Sequence, residues 1–261
     1  MFATRTDPVH APLTAHTMAT GRPGAAERST SGSLARIGAV AAVLGDLVLF
    51  VSTLLHPMGA DPNDAPTAFA EYAANSLWVW SHLGQFLGFA VLSIALVALA
   101  TTLEQGRAAA WARVGLAGTA AIVAVAAALQ AVDGVALKTM VDRWAAATGD
   151  ARVLAYEAAF AVRQIEVGLA SLLSLVSGLT VTTFGIAILV SARYPRWLGA
   201  LGLASGLATV AAGLAQASTG FSGLAMTLSM ISSAVLLDWL LLVGVLMWRL
   251  ARRLPAESNL A

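Results

Sequence analysis

Residues 34–55 read LARIGAVAAVLGDLVLFVSTLL and run straight into His56-Pro57. One arginine stands near the start and one acid, Asp46, in the middle; the rest is apolar, small or hydroxylated. A hydrocarbon core of about 30 Å is crossed by about 20 such residues in a helix, so this stretch spans a bilayer once. Five further runs have the same character, at about 78–101, 114–137, 161–190, 197–218 and 224–250. Whole-chain composition agrees: 58% of the residues are hydrophobic and 11% charged, against roughly a quarter charged in soluble domains. The fold class that follows is all-α, an integral membrane bundle of six helices.

Orientation comes from the basic residues. Numbering the loops alternately puts eleven on one side (Arg5, Arg22, Arg28, Arg36, Arg107, Arg113, Arg193, Arg196, Arg249, Arg252 and Arg253) and four on the other (Lys138, Arg143, Arg152 and Arg163). The side richer in Lys and Arg stays in the cytoplasm, which predicts both termini inside and a location in a bacterial inner membrane. Trp78, Trp80, Trp197 and Trp248 near span ends suit the half-wetted interfacial belt. The chain then divides into a disordered cytoplasmic tail over 1–33, too poor in apolar residues to offset chain entropy, a six-span domain over 34–253, and a second cytoplasmic tail over 254–261. The first apolar run ends in His56-Pro57 without a small-residue cleavage pattern, which argues against a cleaved signal peptide. A net charge of +1 with dispersed arginines gives no nucleic-acid footprint. With no cysteine there is no disulfide, thiol nucleophile or thiolate metal site.

Between the third and fourth spans, Gly149-Asp150 combines a helix stop with an N-cap. The two spans are expected to form one long hairpin projecting on the outer side, with Asp133 level with Glu166 and Arg163 about one turn farther out. In the first outer loop, Asp64-Ala65-Pro66 followed by Phe69, Tyr72 and Leu77 predicts a short amphipathic helix. Gly199, Gly202, Gly206 and Gly213 give the fifth span a small-residue stripe for close helix packing.

The segment Tyr194-Pro195-Arg196-Trp197-Leu198-Gly199-Ala200-Leu201-Gly202, with the six-span layout, resembles small bacterial multi-pass membrane proteins grouped as a domain of unknown function. The resemblance implies the six-helix fold; no activity, cofactor or site residue comes with it.

Function has to be read from polar residues that lipid should exclude, since an ionisable group near the bilayer centre costs roughly 2.5–3.5 kcal/mol on insertion scales. Asp46 and Asp238 fall at that depth with no Lys or Arg beside them, so each is expected to be protonated or to hold a cation; the plain alternative is a neutral Asp hydrogen-bonded to a neighbouring helix. A second tier near the outer interface comprises His56, His82, Gln85, Asp133, Lys138, Arg163 and Glu166. Of these, His56, His82, Asp133 and Glu166 form a ligand set of the kind found in zinc or non-haem iron sites. The plain alternative pairs Asp133 with Arg163 and Glu166 with Lys138 across the hairpin, leaving the histidines as wetted interfacial residues. His56 and His82 as axial haem ligands, and Asp61-Pro-Asn-Asp64 as a diphosphate site, are weaker readings; for the latter a cap and turn is the simpler account.

Three functions remain open on the sequence. One is an outward-facing polar pocket leading to Asp46 and Asp238 that binds or transports a proton, a cation or a small solute, with a homodimer supplying further spans. The second is a membrane-embedded enzyme with a histidine and carboxylate site at the outer face, acting on a lipid-like substrate. The third is a structural or accessory subunit.

Overall fold

The computed structural model describes residues 25–253. The expectations for 1–24 and 254–261 lie outside the described residues. Eight α-helices occupy the rest: α1 (Ala25–Leu54), α2 (Ala65–Ala74), α3 (Trp78–Thr102), α4 (Gly106–Gln130), α5 (Lys138–Ala146), α6 (Gly149–Leu189), α7 (Arg196–Thr219) and α8 (Gly223–Arg253). A π-helical segment, Ala131–Leu137, joins α4 to α5 without a break. No strand occurs among the described residues. Six helical stretches are long and apolar enough to cross a membrane, with α4, the π-segment and α5 together making the third.

Helix α1 starts at Ala25, so the boundary expected at residue 33 falls inside a helix. Ala25-Ala26-Glu27-Arg28 are strong helix formers, and adding residues to an existing helix is far easier than nucleating one. At its other end α1 stops at Leu54, two residues ahead of His56, whose following proline disfavours helical geometry.

The six long elements close into a ring. Each packs on its sequence neighbour, in the order α1, α3, α4, α6, α7 and α8, and α8 returns to α1. Neighbours in sequence are neighbours in space, the ordinary result of short connections. The interior is filled by Ala, Leu, Phe184, Trp239 and Met247, with Trp239 Nε1 donating to the Leu198 carbonyl at 3.0 Å. Along α6 and α7 the backbones nearly touch. A Cβ added at Gly178 would stand 2.6 Å from the Gly206 carbonyl oxygen, and one at Gly199 would stand 2.8 Å from that of Gly185. Gly199, Gly206 and Gly213 of the stripe face α6, while Gly202 makes room for the Trp239 indole.

The ring has two distinct ends. One carries the α1–α2, α5–α6 and α7–α8 connections, with His56 and His82; we call it the histidine end. The other gathers Arg36, Arg107, Arg113, Arg193, Arg196, Arg249, Arg252 and Arg253. Helix α6, at 41 residues, is about 60 Å long at 1.5 Å per residue, twice the hydrocarbon thickness. Its first turns pack on α5, reached through Gly149, whose φ of +57° is the left-handed conformation that glycine adopts most easily. Helix α2 lies against α5, and Phe69, Tyr72, Trp78, Leu137, Val141 and Trp144 join in a second apolar cluster over this end. Trp78 belongs to that cluster and is fully buried, not half-wetted as its place at a span end suggested, whereas Trp80 is 68% exposed.

Candidate metal centre

His82 sits one turn into α3 and is 1% exposed. Its Nδ1 lies 2.7 Å from the Trp78 carbonyl oxygen one turn back. A carbonyl can only accept, so Nδ1 carries the hydrogen, and in a neutral ring Nε2 presents its lone pair. That Nε2 stands 3.0 Å from Asp133 Oδ2. Two lone-pair atoms meet at this distance only with a proton or a cation between them, and Asp133 Oδ1 is buried with no hydrogen-bond partner.

Asp133 reaches this position through the π-segment. An i→i+5 turn inserts an extra residue and rotates the side chains that follow, and such turns cluster at functional sites. Next to it, Gly134 permits the approach: a Cβ there would collide with the His82 Cβ. The Trp78 indole Nε1 donates to the Asp133 carbonyl at 3.0 Å, tying the π-segment to the start of α3.

His56 completes the group from the end of α1. Its Nδ1 lies 2.7 Å from the Pro57 carbonyl oxygen, so it too bears its hydrogen on Nδ1 and keeps Nε2 as the free nitrogen. The ring rests 4.8 Å from Trp78 and 5.1 Å from His82 between centroids. Burial, with the neighbouring His82 adding to it, pushes the His56 pKa below the ordinary histidine value; Asp133 and the Pro57 carbonyl oppose the shift without cancelling it. Potential ligand atoms of His56, His82 and Asp133 all lie within 4.8 Å of one another. Tetrahedral ligands at about 2.1 Å from an ion stand about 3.4 Å apart, so closure on a metal asks for side-chain movements of about 1 Å.

The other residues of the outer tier are committed elsewhere. Glu166 takes both its oxygens to Arg163 Nη1, at 3.0 and 2.9 Å, in a pair that is about 5% exposed on each side. Lys138 pairs with Asp142 and donates to the Ala73 carbonyl. The cross-hairpin pairs Asp133–Arg163 and Glu166–Lys138 are therefore not formed. Local spacing wins: i,i+3 and i,i+4 partners on one helix are already neighbours, while cross-hairpin pairs need register as well. Arg163 Nη2 also donates to the Pro62 carbonyl at 3.1 Å, and its guanidinium lies over the rings of Tyr72 and Phe221. One arginine thus joins α6 to the α1–α2 loop, α2 and the α7–α8 loop. Burial raises the Tyr72 pKa to about 12, which keeps its hydroxyl protonated. Gln85 accepts from Gln130 Nε2 at 3.2 Å, one turn before Asp133.

Asp46 and Asp238 stand apart from this group. Asp46 is half-buried on α1 with Oδ1 enclosed and without a hydrogen-bond partner. Asp238, midway along α8, is exposed on the surface of the ring. The two belong to packed neighbours, α1 and α8.

Three features of the centre are not legible in the sequence: the π-segment, the Gly134 approach and the Trp78 indole bond. Gly134 beside Asp133 in an otherwise apolar run was the one available signal, since an intrahelical glycine marks a close approach.

Six helices long and apolar enough to cross a bilayer make this a multi-pass membrane protein. Residues 30–244 match the family described as a domain of unknown function, DUF4386, and the chain belongs to that family. No curated protein and no solved structure matches it.

Proposed function

We propose that this protein sits in a bacterial inner membrane with its histidine end outward and binds a divalent transition-metal ion there through His56, His82 and Asp133. One observation carries the reading. Both histidines donate Nδ1–H to a backbone carbonyl, which fixes the tautomer that offers Nε2, the arrangement by which metal-binding histidines are held. A carboxylate with a partnerless buried oxygen stands against one of them. Two imidazoles and one carboxylate suit zinc or ferrous iron. The orientation rests on the eleven-to-four distribution of basic residues.

Three protein ligands leave a fourth position for water or substrate, the pattern of catalytic rather than structural zinc. A metal there would lower the pKa of bound water toward neutrality, and its place at the end of the spans favours a lipid-like substrate. His56 and His82 would hold the ion and Asp133 would supply the negative charge. Arg163 and Glu166, locked to each other, would hold α2 and the adjoining loops over the site.

Titration of the purified protein with cobalt(II) tests the metal reading. The expected result is saturable visible absorption of a four-coordinate complex at about one equivalent, lost in His82→Ala and Asp133→Asn. Absence of that signal in the wild-type protein, or its persistence in both variants, would overturn it.

A second reading, movement of a proton, cation or small solute along a path that includes Asp46 and Asp238, draws on the partnerless Asp46 oxygen. Vesicle fluxes unchanged in Asp46→Asn and Asp238→Asn would remove it.

A further inference from the structure

The flank of the ring between α1 and α8 carries a groove of about 460 Å³ in the half of the bundle nearer the arginine end. The two helices touch closely beside it at Gly244, where an added Cβ would lie 2.7 Å from the Ala42 Cβ. Its walls are apolar. Val40, Val43 and Val245, exposed by 47%, 51% and 44%, line it from opposite helices. They face the surroundings, not the core, so the groove opens toward lipid.

Its mouth is basic. Arg249 and Arg252, spaced i,i+3 on one face of α8, both line it, and neither has a carboxylate partner among the described residues. Trp248, 43% exposed, stands beside them, as an aromatic ring does at headgroup level. From Arg252 to Gly244 the helix rises about 12 Å at 1.5 Å per residue, close to the roughly 15 Å depth of one leaflet's hydrocarbon. Apolar walls that reach into one leaflet below two guanidiniums without a carboxylate partner among the described residues match one chemistry.

We infer that this groove is a binding site for a single anionic phospholipid, with one acyl chain between α1 and α8 and its phosphate on Arg249 and Arg252. Guanidinium forks grip phosphate oxygens in pairs, and basic residues at the end of a span attract anionic headgroups. The two contributions are separable: the arginines select the headgroup and the groove retains the chain. The site lies at the opposite end of the bundle from the metal centre and does not depend on it.

Native mass spectrometry of the purified full chain in detergent provides the test, with phosphatidylglycerol competing against phosphatidylcholine of the same acyl chains. One retained phosphatidylglycerol per chain is expected, favoured over phosphatidylcholine by about tenfold or more. The preference should collapse to near parity in the R249Q/R252Q double variant. In V43F/V245F, whose new rings fill the groove from both walls, retention of either lipid should fall although both arginines remain. Equal retention of the two lipids by the wild-type protein would overturn the inference. So would undiminished phosphatidylglycerol retention in V43F/V245F, which would mark a diffuse basic surface in place of a groove. The wild-type competition decides by itself if either variant fails to fold.

Discussion

Asp133 and Asp46 make an instructive pair. Each is a carboxylate within an apolar run of its helix, and each has one enclosed oxygen with no hydrogen-bond partner. Asp133 meets an imidazole nitrogen at 3.0 Å, with a second imidazole and an indole fixed around it by backbone hydrogen bonds. Asp46 has no such partner for its enclosed oxygen, and Asp238, on the neighbouring α8, sits exposed on the flank of the ring. Depth in hydrocarbon makes an acid costly, but convergence of anchored, complementary groups is what makes a site. That convergence is present at the histidine end and missing midway along α1 and α8.

Substitutions at the two places should therefore diverge, most strongly in metal affinity. Losing a ligand at His82 or Asp133 is expected to weaken zinc binding by more than the 10–100-fold typical of outer-shell partners, read by equilibrium dialysis. Asp46→Asn should leave the same measurement within about twofold.

Stability gives the next largest contrast, between two ion pairs. Arg163→Ala leaves Glu166 buried without its guanidinium, a change that costs about 3–5 kcal/mol. It also releases the loop holding Pro62. Lys138→Ala breaks a pair whose Asp142 side chain is 49% exposed, and is expected to cost less than about 1 kcal/mol. Thermal unfolding in one detergent distinguishes the two.

A smaller effect concerns pH. His56 takes its proton at lower pH in the folded protein than in the unfolded chain, so below about 6.5 the unfolded state binds more protons. Stability of the metal-free protein should fall as pH drops through that value and be level above it. His56→Gln should flatten that part of the profile. Identical pH profiles for the two proteins would show that His56 is not held neutral by burial.

The unequal legibility of these regions has physical causes. All six spans could be read from 34–55 and its five counterparts because crossing a bilayer demands length and apolarity, and both are local properties of the chain. His56, His82 and Asp133 could be named as candidates for a related reason: polar groups at span ends are few. Their grouping could not be read, since it depends on a π-turn in the run 131–137 that shifts the phase of the helix without altering its hydropathy. Glu166 looked like a fourth ligand by depth, yet its oxygens go to Arg163 on its own helix. The histidines looked wetted by their position near a span end, yet α2 and Trp78 cover them, and covering by a separate short helix leaves no periodic trace.

Elemental analysis of zinc-saturated, extensively dialysed protein tests the central claim most directly, with wild type, His82→Ala and Asp46→Asn carried through side by side. The account predicts about one zinc per chain in wild type and in Asp46→Asn, and almost none in His82→Ala. Equal zinc in all three, or none in the wild-type protein, would contradict it.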